Sequence, residues 1–245
     1  MSQQDTIYSK ALPSVGDFRF DEHVVEVFPD MINRSVPGYA TIIQTLPQLA
    51  ERYSQNNTNV YDLGCSLGAA TLALRKGCEK SQGNEIIAVD NSQPMIDRAR
   101  LHLQGFKSDI PVTFNCENVQ DTSIENASIV VLNFTLQFVP KEDRNALIQK
   151  IYSGLNPGGV LLVAEKVAHT DKHIHDTLVE LHHDFKRANG YSELEISQKR
   201  AAIENVMKID SLDTHFARFQ DAGFAHSGVW LQCFNFVAMM AVKGE

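Results

Sequence analysis

From about residue 59 onward, short runs of apolar residues alternate with longer stretches in which apolar side chains return every three or four positions. The runs "NVYDLG", "NEIIAVD", "PVTFNC", "SIVVLNF" and "GGVLLVAEK" have the length and β-branched content of strands buried on both faces. Between them, "SQPMIDRARLHLQGF" and "KEDRNALIQKIYSGL" carry helical periodicity. Strand and helix in alternation predict an α/β fold, a doubly wound and mostly parallel sheet. Upstream, Asp21 is placed to cap a helix over "EHVVEVFPDMINR", and a second helix follows Pro37 through "YATIIQTLPQLAERY", with Pro47 expected to kink or break it. After Glu165 the rhythm changes. His169 to Gly223 is mostly helical, and "VWLQCFNFVAMMAVK" has the apolar length of a closing antiparallel hairpin. The expected organisation is one domain: an N-terminal helical extension (1–57), a ligand-binding core (58–166), a helical insertion (167–223) and C-terminal strands (224–245).

Composition narrows the function classes. At 245 residues and 43% hydrophobic, the chain can bury one sizeable core. Its 22 basic and 30 acidic side chains leave a formal charge of −8, which repels a phosphate backbone and disfavours nucleic acid as a direct partner. Cys65, Cys78, Cys116 and Cys233 are too scattered for a zinc knuckle or a disulfide framework, which fits reduced thiols in the cytoplasm. The start, "MSQQDTIYSKALPSVGDF", lacks the apolar core of a signal peptide, and no apolar run approaches the roughly 18 residues of a membrane span. A soluble, cytoplasmic protein with no membrane partner is expected.

The candidate chemistry gathers where such a sheet places it, at the carboxyl ends of its strands. In "VYDLGCSLGAATLAL", Gly64 and Gly68 permit close backbone approach and tight helix packing, and the amides opening the next helix can receive a polar group. Asp90 ends the second strand, where a carboxylate can accept both hydroxyls of a ribose, and Asn133 ends the fourth. A nicotinamide site favours glycine where Ser66 stands, so Ser66 suits a ligand without a pyrophosphate. Other residues read blandly by themselves: Tyr39 as a half-buried packing aromatic, Cys65 as a small buried packing residue, and Lys199 with Arg200 as a solvated basic pair. His169, His173, His175, His182 and His183 lack a recognisable ligand pattern, so they are expected on helix surface and no metal is assigned.

Taken as a set, Asp62-x-Gly64-x-Ser66-x-Gly68, Asp90 and the turn Leu155-Asn156-Pro157-Gly158-Gly159 resemble class I S-adenosylmethionine-dependent methyltransferases from Val60 to Lys166. The resemblance implies that Gly64, Cys65 and Ser66 hold the methionine part and Asp90 the ribose, that the neighbourhood of Asn118 and Val119 flanks the adenine, and that Asn91 is a further cofactor contact. Asn118 stands where that family often has an acid. A narrower resemblance covers nearly the whole chain: "FDEHVVEVFPDMINRSVPGY", "VYDLGCSLGAATLALR", "SIENASIVVLNFTLQF" and "HHDFKRANGYSELEISQKR" are similar to the carboxy-S-adenosyl-L-methionine synthases of bacterial tRNA modification. It implies that S-adenosylmethionine is a substrate rather than a methyl donor. Prephenate gives up carbon dioxide and becomes phenylpyruvate, and the methyl becomes a carboxymethyl group.

The hydroxyl leaving prephenate takes the methyl proton, so the family needs no protein base and no metal, only a closed site that positions the reactants. By the same resemblance, Arg200 matches the arginine that binds the new carboxylate, Tyr39 and Asn133 match ligand contacts, and a homodimer is implied. A second protein then uses carboxy-S-adenosyl-L-methionine on the wobble uridine of tRNA. Two alternatives stay open at this point: a conventional small-molecule methyltransferase, and a non-catalytic S-adenosylmethionine-binding module.

Overall fold

The computed structural model describes residues 4–245. Five parallel strands, β1 (Asn59–Leu63), β2 (Glu85–Asp90), β3 (Val112–Cys116), β4 (Ala127–Asn133) and β5 (Leu155–Ala168), are followed in the sheet by an antiparallel pair. The two-residue β6 (Asp210–Ser211) extends the end of β5, and β7 (His226–Cys233) and β8 (Phe236–Val242) form the closing hairpin. The order is β3-β2-β1-β4-β5-β8-β7, with β8 antiparallel to β5. Winding reverses between β1 and β4, so a crevice opens at their carboxyl ends.

Alternate residues of each central strand feed opposite cores, as the pleat requires. Tyr61, Leu63, Val130, Leu132, Leu161 and Val163 pack against α5 (Lys141–Gly154) and α8 (Leu212–Ala222). Val60, Ile86, Ile129, Val131 and Leu162 pack against α2 (Tyr39–Tyr53) and α3 (Ala69–Gly77). Asp21 caps α1 (Glu22–Ser35) as expected, accepting from the amides of His23 and Val24 at 3.0 and 3.1 Å. α2 runs unbroken through Pro47, contrary to the expectation of a break. Leu46 and Ala50, fully buried on either side of that proline, hold both halves against α3, whose Gly77 leaves no room for a Cβ beside the Pro47 carbonyl. The Pro-Gly-Gly segment is a bulge inside β5 rather than a turn before it: its pairing with β4 skips from Leu155 to Val160.

The insertion after β5 consists of α6 (Lys172–Ala188), α7 (Glu193–Glu204), β6 and α8. An N-terminal segment lies along α7. The Gln198 amide donates to the carbonyls of Tyr8 and Lys10, both at 2.9 Å, its oxygen accepts from the Leu12 amide, and the Phe18 amide donates to the Ala202 carbonyl. Asp210 joins β6 to the sheet's helices. Its carboxylate accepts from Arg144 Nη1 at 2.6 Å, Arg218 Nη2 at 3.0 Å and Lys141 Nζ at 3.0 Å. Among the described residues no helix is long and apolar enough to cross a membrane.

Candidate functional site

The chain leaves β1 in a turn that both neighbouring strands enforce. The Val89 carbonyl on β2 accepts from the amides of Gly64 and Cys65 at 2.8 and 2.9 Å. Gly64 has φ +85°, and a Cβ there would stand 2.2 Å from Thr135 Oγ1, just beyond β4. Only glycine lets the ends of β1 and β4 come this close. Ser66 also takes a positive φ, 48°, which turns its amide onto Asp90 Oδ2 at 2.9 Å. Asp90 Oδ1 accepts from the Ser92 amide at 2.9 Å. Burial raises the Asp90 carboxyl above its usual range, and these two amides pull it back. A carboxylate offers about four acceptor positions; two are occupied here, and Asp90 lines the crevice with the others.

Beside it, Asn91 Nδ2 donates to Asn118 Oδ1 at 3.2 Å, and Asn118 Nδ2 donates to Asp121 at 3.1 Å. The Asn118 side chain is thus already engaged on both ends. Val119 next to it is buried and apolar. Asn133, at the end of β4, presents a buried Oδ1 that has no hydrogen-bond partner in the protein. An orphaned acceptor facing a cleft is the feature a cationic ligand group would satisfy.

The crevice opens into a cavity of about 620 Å³ that reaches from Ser66 and Asp90 to α6 and α7. That lies within the roughly 300–1,000 Å³ usual for small-molecule sites. One face of α6, His175, Val179, His182, His183 and Lys186, forms its far wall. Phe18, Phe20 and Phe28 close another side, stacked edge to face at 5.1 and 6.2 Å. Lys166, Lys186, Lys199 and Arg200 face the cavity against the acids Asp90 and Glu204. In an acidic chain this is a local excess of positive charge. Burial lowers Lys166 to about 8, with Arg200 adding to the effect. It lowers Lys186 to about 7, with Lys199, Lys166 and Arg200 adding repulsion.

Several placements correct the sequence reading. Lys199 and Arg200 are not a solvated pair. Lys199 is buried, donates to Ser35 Oγ at 2.9 Å and lies 3.6 Å from Asp5, which also accepts from the Tyr191 hydroxyl. Arg200 stands at the rim, half exposed. Its Nε donates to Glu204 at 2.5 Å, and neither Nη has a hydrogen-bond partner among the described residues. His182 is not on helix surface: it is buried, its Nε2 bonded to the Ser35 carbonyl at 2.8 Å. Tyr39 and Cys65 sit one layer behind the cavity. Tyr39 packs on Phe134 at 6.4 Å, burial and Asp62 raising its hydroxyl; Cys65 is buried with Ala88 and Ile96.

The structure therefore brings Gly64, Ser66, Asp90, Asn91, Asn118, Val119, Asn133 and Arg200 to one cavity. Lys166, Lys186, Lys199 and His182 were missed. Lys166 was the most accessible to sequence reasoning, since it ends the strand "GGVLLVAEK" on the side where ligands bind.

Comparison with known proteins bears on the activity. Residues 60–159 match the family described as "Methyltransferase domain". The chain is 68% identical over 243 residues to a carboxy-S-adenosyl-L-methionine synthase of Idiomarina loihiensis, covering 99% of this chain and 100% of that one. It is 58% identical over 240 residues to the protein of the same name in Mannheimia succiniciproducens, covering 98% and 99%. Among solved structures, the magnesium protoporphyrin IX methyltransferase of Synechocystis PCC 6803, with bound SAH, superposes with a TM-score of 0.60 over 87% of each chain at 15% identity, a likeness of fold.

Proposed function

This chain belongs to the carboxy-S-adenosyl-L-methionine synthase family, and from that premise we propose that it converts S-adenosyl-L-methionine and prephenate into carboxy-S-adenosyl-L-methionine and phenylpyruvate. The product then serves tRNA wobble-uridine modification by a second protein. The observation that carries this reading is Arg200 on the wall of the cavity that also holds Asp90 and Asn133. A methyltransferase must leave the space around the methyl to its acceptor. A carboxylating enzyme must receive a new anion there, and the two free Nη groups of Arg200 offer the paired donors a carboxylate takes.

In this reading the free acceptor positions of Asp90 take the ribose hydroxyls, and Asn133 Oδ1 takes the ammonium of the methionine part. The ring carboxylate of prephenate leaves as carbon dioxide, the ring becomes aromatic and hydroxide departs. Hydroxide removes a proton from the sulfonium methyl to give water, and the ylide carbon bonds to the carbon dioxide. No protein base is needed. The chain's part is to hold both reactants and to exclude water, and the aromatic wall of Phe18, Phe20 and Phe28 suits that exclusion. The protein is read as a cytoplasmic homodimer that does not itself bind RNA. The exposed apolar side chains Ile174 and Leu181 on α6, Leu194 on α7 and Val229 on β7 are surface that a second copy would cover.

Two expected results follow from these roles. Asp90→Ala weakens S-adenosylmethionine binding by about 1–3 kcal/mol, since the ribose hydroxyls lose a charged acceptor and the Ser66 amide loses its anchor. Isothermal calorimetry on the folded variant checks it, and unchanged affinity contradicts it. Arg200→Ala weakens carboxy-S-adenosyl-L-methionine by about 2 kcal/mol, near thirtyfold, and leaves plain S-adenosylmethionine almost untouched. Equal affinities of wild type and variant for the carboxylated ligand would return Arg200 to a solvated role beside Glu204. Production of S-adenosylhomocysteine and a methylated acceptor, with no carboxylated product, would favour a conventional methyltransferase.

A further inference from the structure

Of the four cations that face the cavity, two have their charges matched. Lys199 has Ser35 and Asp5, and Arg200 has Glu204. The Nζ atoms of Lys166, near the end of β5, and Lys186, in the last turn of α6, have no hydrogen-bond or ion-pair partner among the described residues. Glu204 is the acid that bears on Lys166, and it is already bonded to Arg200. Lys186 is 8% exposed. Burial makes an ammonium without a counter-ion costly even where its Nζ still reaches the cavity, so two of them on one cavity wall mark a place that an anion completes.

A second feature locates the pair. Phe236 is the common neighbour of Lys166, whose Nζ lies 5.7 Å from its ring centre, and of His182, whose ring lies 4.7 Å away. His182 precedes Lys186 by one helical turn on the cavity face of α6. Its Nε2 donates to the Ser35 carbonyl, which leaves Nδ1 as a bare acceptor, and that atom is buried without a partner. The two unmatched cations therefore lie in one corner of the cavity, on the α6 side and away from the loop that follows β1; the His182 Nδ1 beside them is an acceptor that a donor, not the anion, would satisfy.

We propose that Lys166 and Lys186 form the subsite for the carboxylate that the co-substrate retains, the side-chain carboxylate carried from prephenate into phenylpyruvate. This rests on the prephenate reading above. The choice between the two carboxylates of prephenate follows from where charge moves. The ring carboxylate loses its charge as carbon dioxide forms, and a cation fixed on it would stabilise the reactant more than the transition state. The side-chain carboxylate keeps its charge from reactant to product. Cations placed there bind ground state and transition state alike, lowering KM without changing kcat. Arg200 then serves the carboxylate formed on the cofactor, and the lysine pair the one that never reacts.

The test uses the full chain with Lys166→Met and Lys186→Met, followed by steady-state kinetics and calorimetry. Each variant is expected to raise KM for prephenate and Ki for phenylpyruvate by about tenfold or more, with kcat and the affinity for S-adenosylmethionine nearly unchanged. Lys186→Arg, which keeps the charge, is expected to recover most of the loss. Because each methionine removes an unmatched, partly desolvated charge, the ligand-free variants should melt no lower than wild type; a lower melting temperature indicates a structural role and overturns the proposal. So does a loss confined to kcat, an equal loss of S-adenosylmethionine affinity, or no change in KM. If the wild type fails to turn over prephenate, the functional reading falls, and the subsite is decided by phenylpyruvate binding to the protein loaded with S-adenosylhomocysteine. Binding that both methionine variants weaken about tenfold sustains the subsite; no binding by wild type, or equal binding by all three, overturns it.

Discussion

Gly64→Ala is expected to lower the melting temperature by about 6–12 °C and to abolish tight S-adenosylmethionine binding. Two costs add. The residue sits at φ +85°, a left-handed conformation that costs an L-residue roughly 1–2 kcal/mol. The new Cβ would also lie 2.2, 2.5 and 2.9 Å from Oγ1, Cγ2 and Cβ of Thr135. These belong to a β-branched side chain with little freedom to move, and overpacking of this kind typically costs about 1–3 kcal/mol. At about 2–4 °C per kcal/mol for a chain of this size, a total near 3 kcal/mol gives the stated shift. The loss of binding has the same origin. The turn cannot keep both its bonds to Val89 and its distance from Thr135, so the Ser66 amide leaves Asp90. Thr135→Ala in the same chain removes Oγ1 and Cγ2 and should restore part of the stability, but not the conformational share. Differential scanning calorimetry decides it: a melting temperature for Gly64→Ala within about 2 °C of wild type contradicts the account.

Asp210→Asn is expected to destabilise the protein by about 3–5 kcal/mol at pH 7, the range for removing one partner from a buried charge cluster. Arg144 is 1% exposed and Arg218 7%, so both guanidiniums would remain buried with a neutral neighbour. Burial by itself would raise the Asp210 carboxyl. The hydrogen bonds from Lys141, Arg144 and Arg218 outweigh burial and hold it well below the usual carboxylate range. The sign follows from that depression. The contribution is complete above the unfolded value near 4 and is lost as pH falls toward the folded one, so the gap between wild type and variant should begin to narrow below about pH 4 and keep narrowing as the pH falls further. Denaturant unfolding across pH measures this, and a constant gap down to pH 2 contradicts it. The effect should reach the site as well. Arg144 also donates to the carbonyls of Gln137 and Val139, and both residues line the cavity. Glu165 fixes the same turn from the other side by accepting the amides of Leu136 and Gln137 at 2.8 and 2.9 Å.

What could be seen in the sequence divides along physical lines. The strands were legible because parallel strands buried on both faces need unbroken apolar runs, and the runs at Val60, Ile86 and Ile129 are such segments. The loop after β1 and Asp90 were legible because the required backbone geometry restricts residue type locally. Pro47 misled because propensity is local, whereas Leu46 and Ala50 anchor the helix through tertiary packing. The cationic half of the cavity was not legible. His175, His182, His183 and Lys186 lie on one face of α6, but patterning assigns polar faces to solvent, and here that face looks inward on a ligand site. Lys199 and Arg200 show the limit most sharply. Adjacent on one helix, they point about 100° apart, so one is buried on Ser35 and the other stands at the rim, paired with Glu204.

The most direct measurement of the central claim follows a labelled carbon. Prephenate carrying carbon-13 in its ring carboxylate is incubated with purified protein and S-adenosylmethionine, without RNA, and the small molecules are weighed. The account predicts carboxy-S-adenosyl-L-methionine with the label in its new carboxylate, formed one for one with unlabelled phenylpyruvate. S-Adenosylhomocysteine with a methylated acceptor, or a carboxylated product without the label, would contradict it.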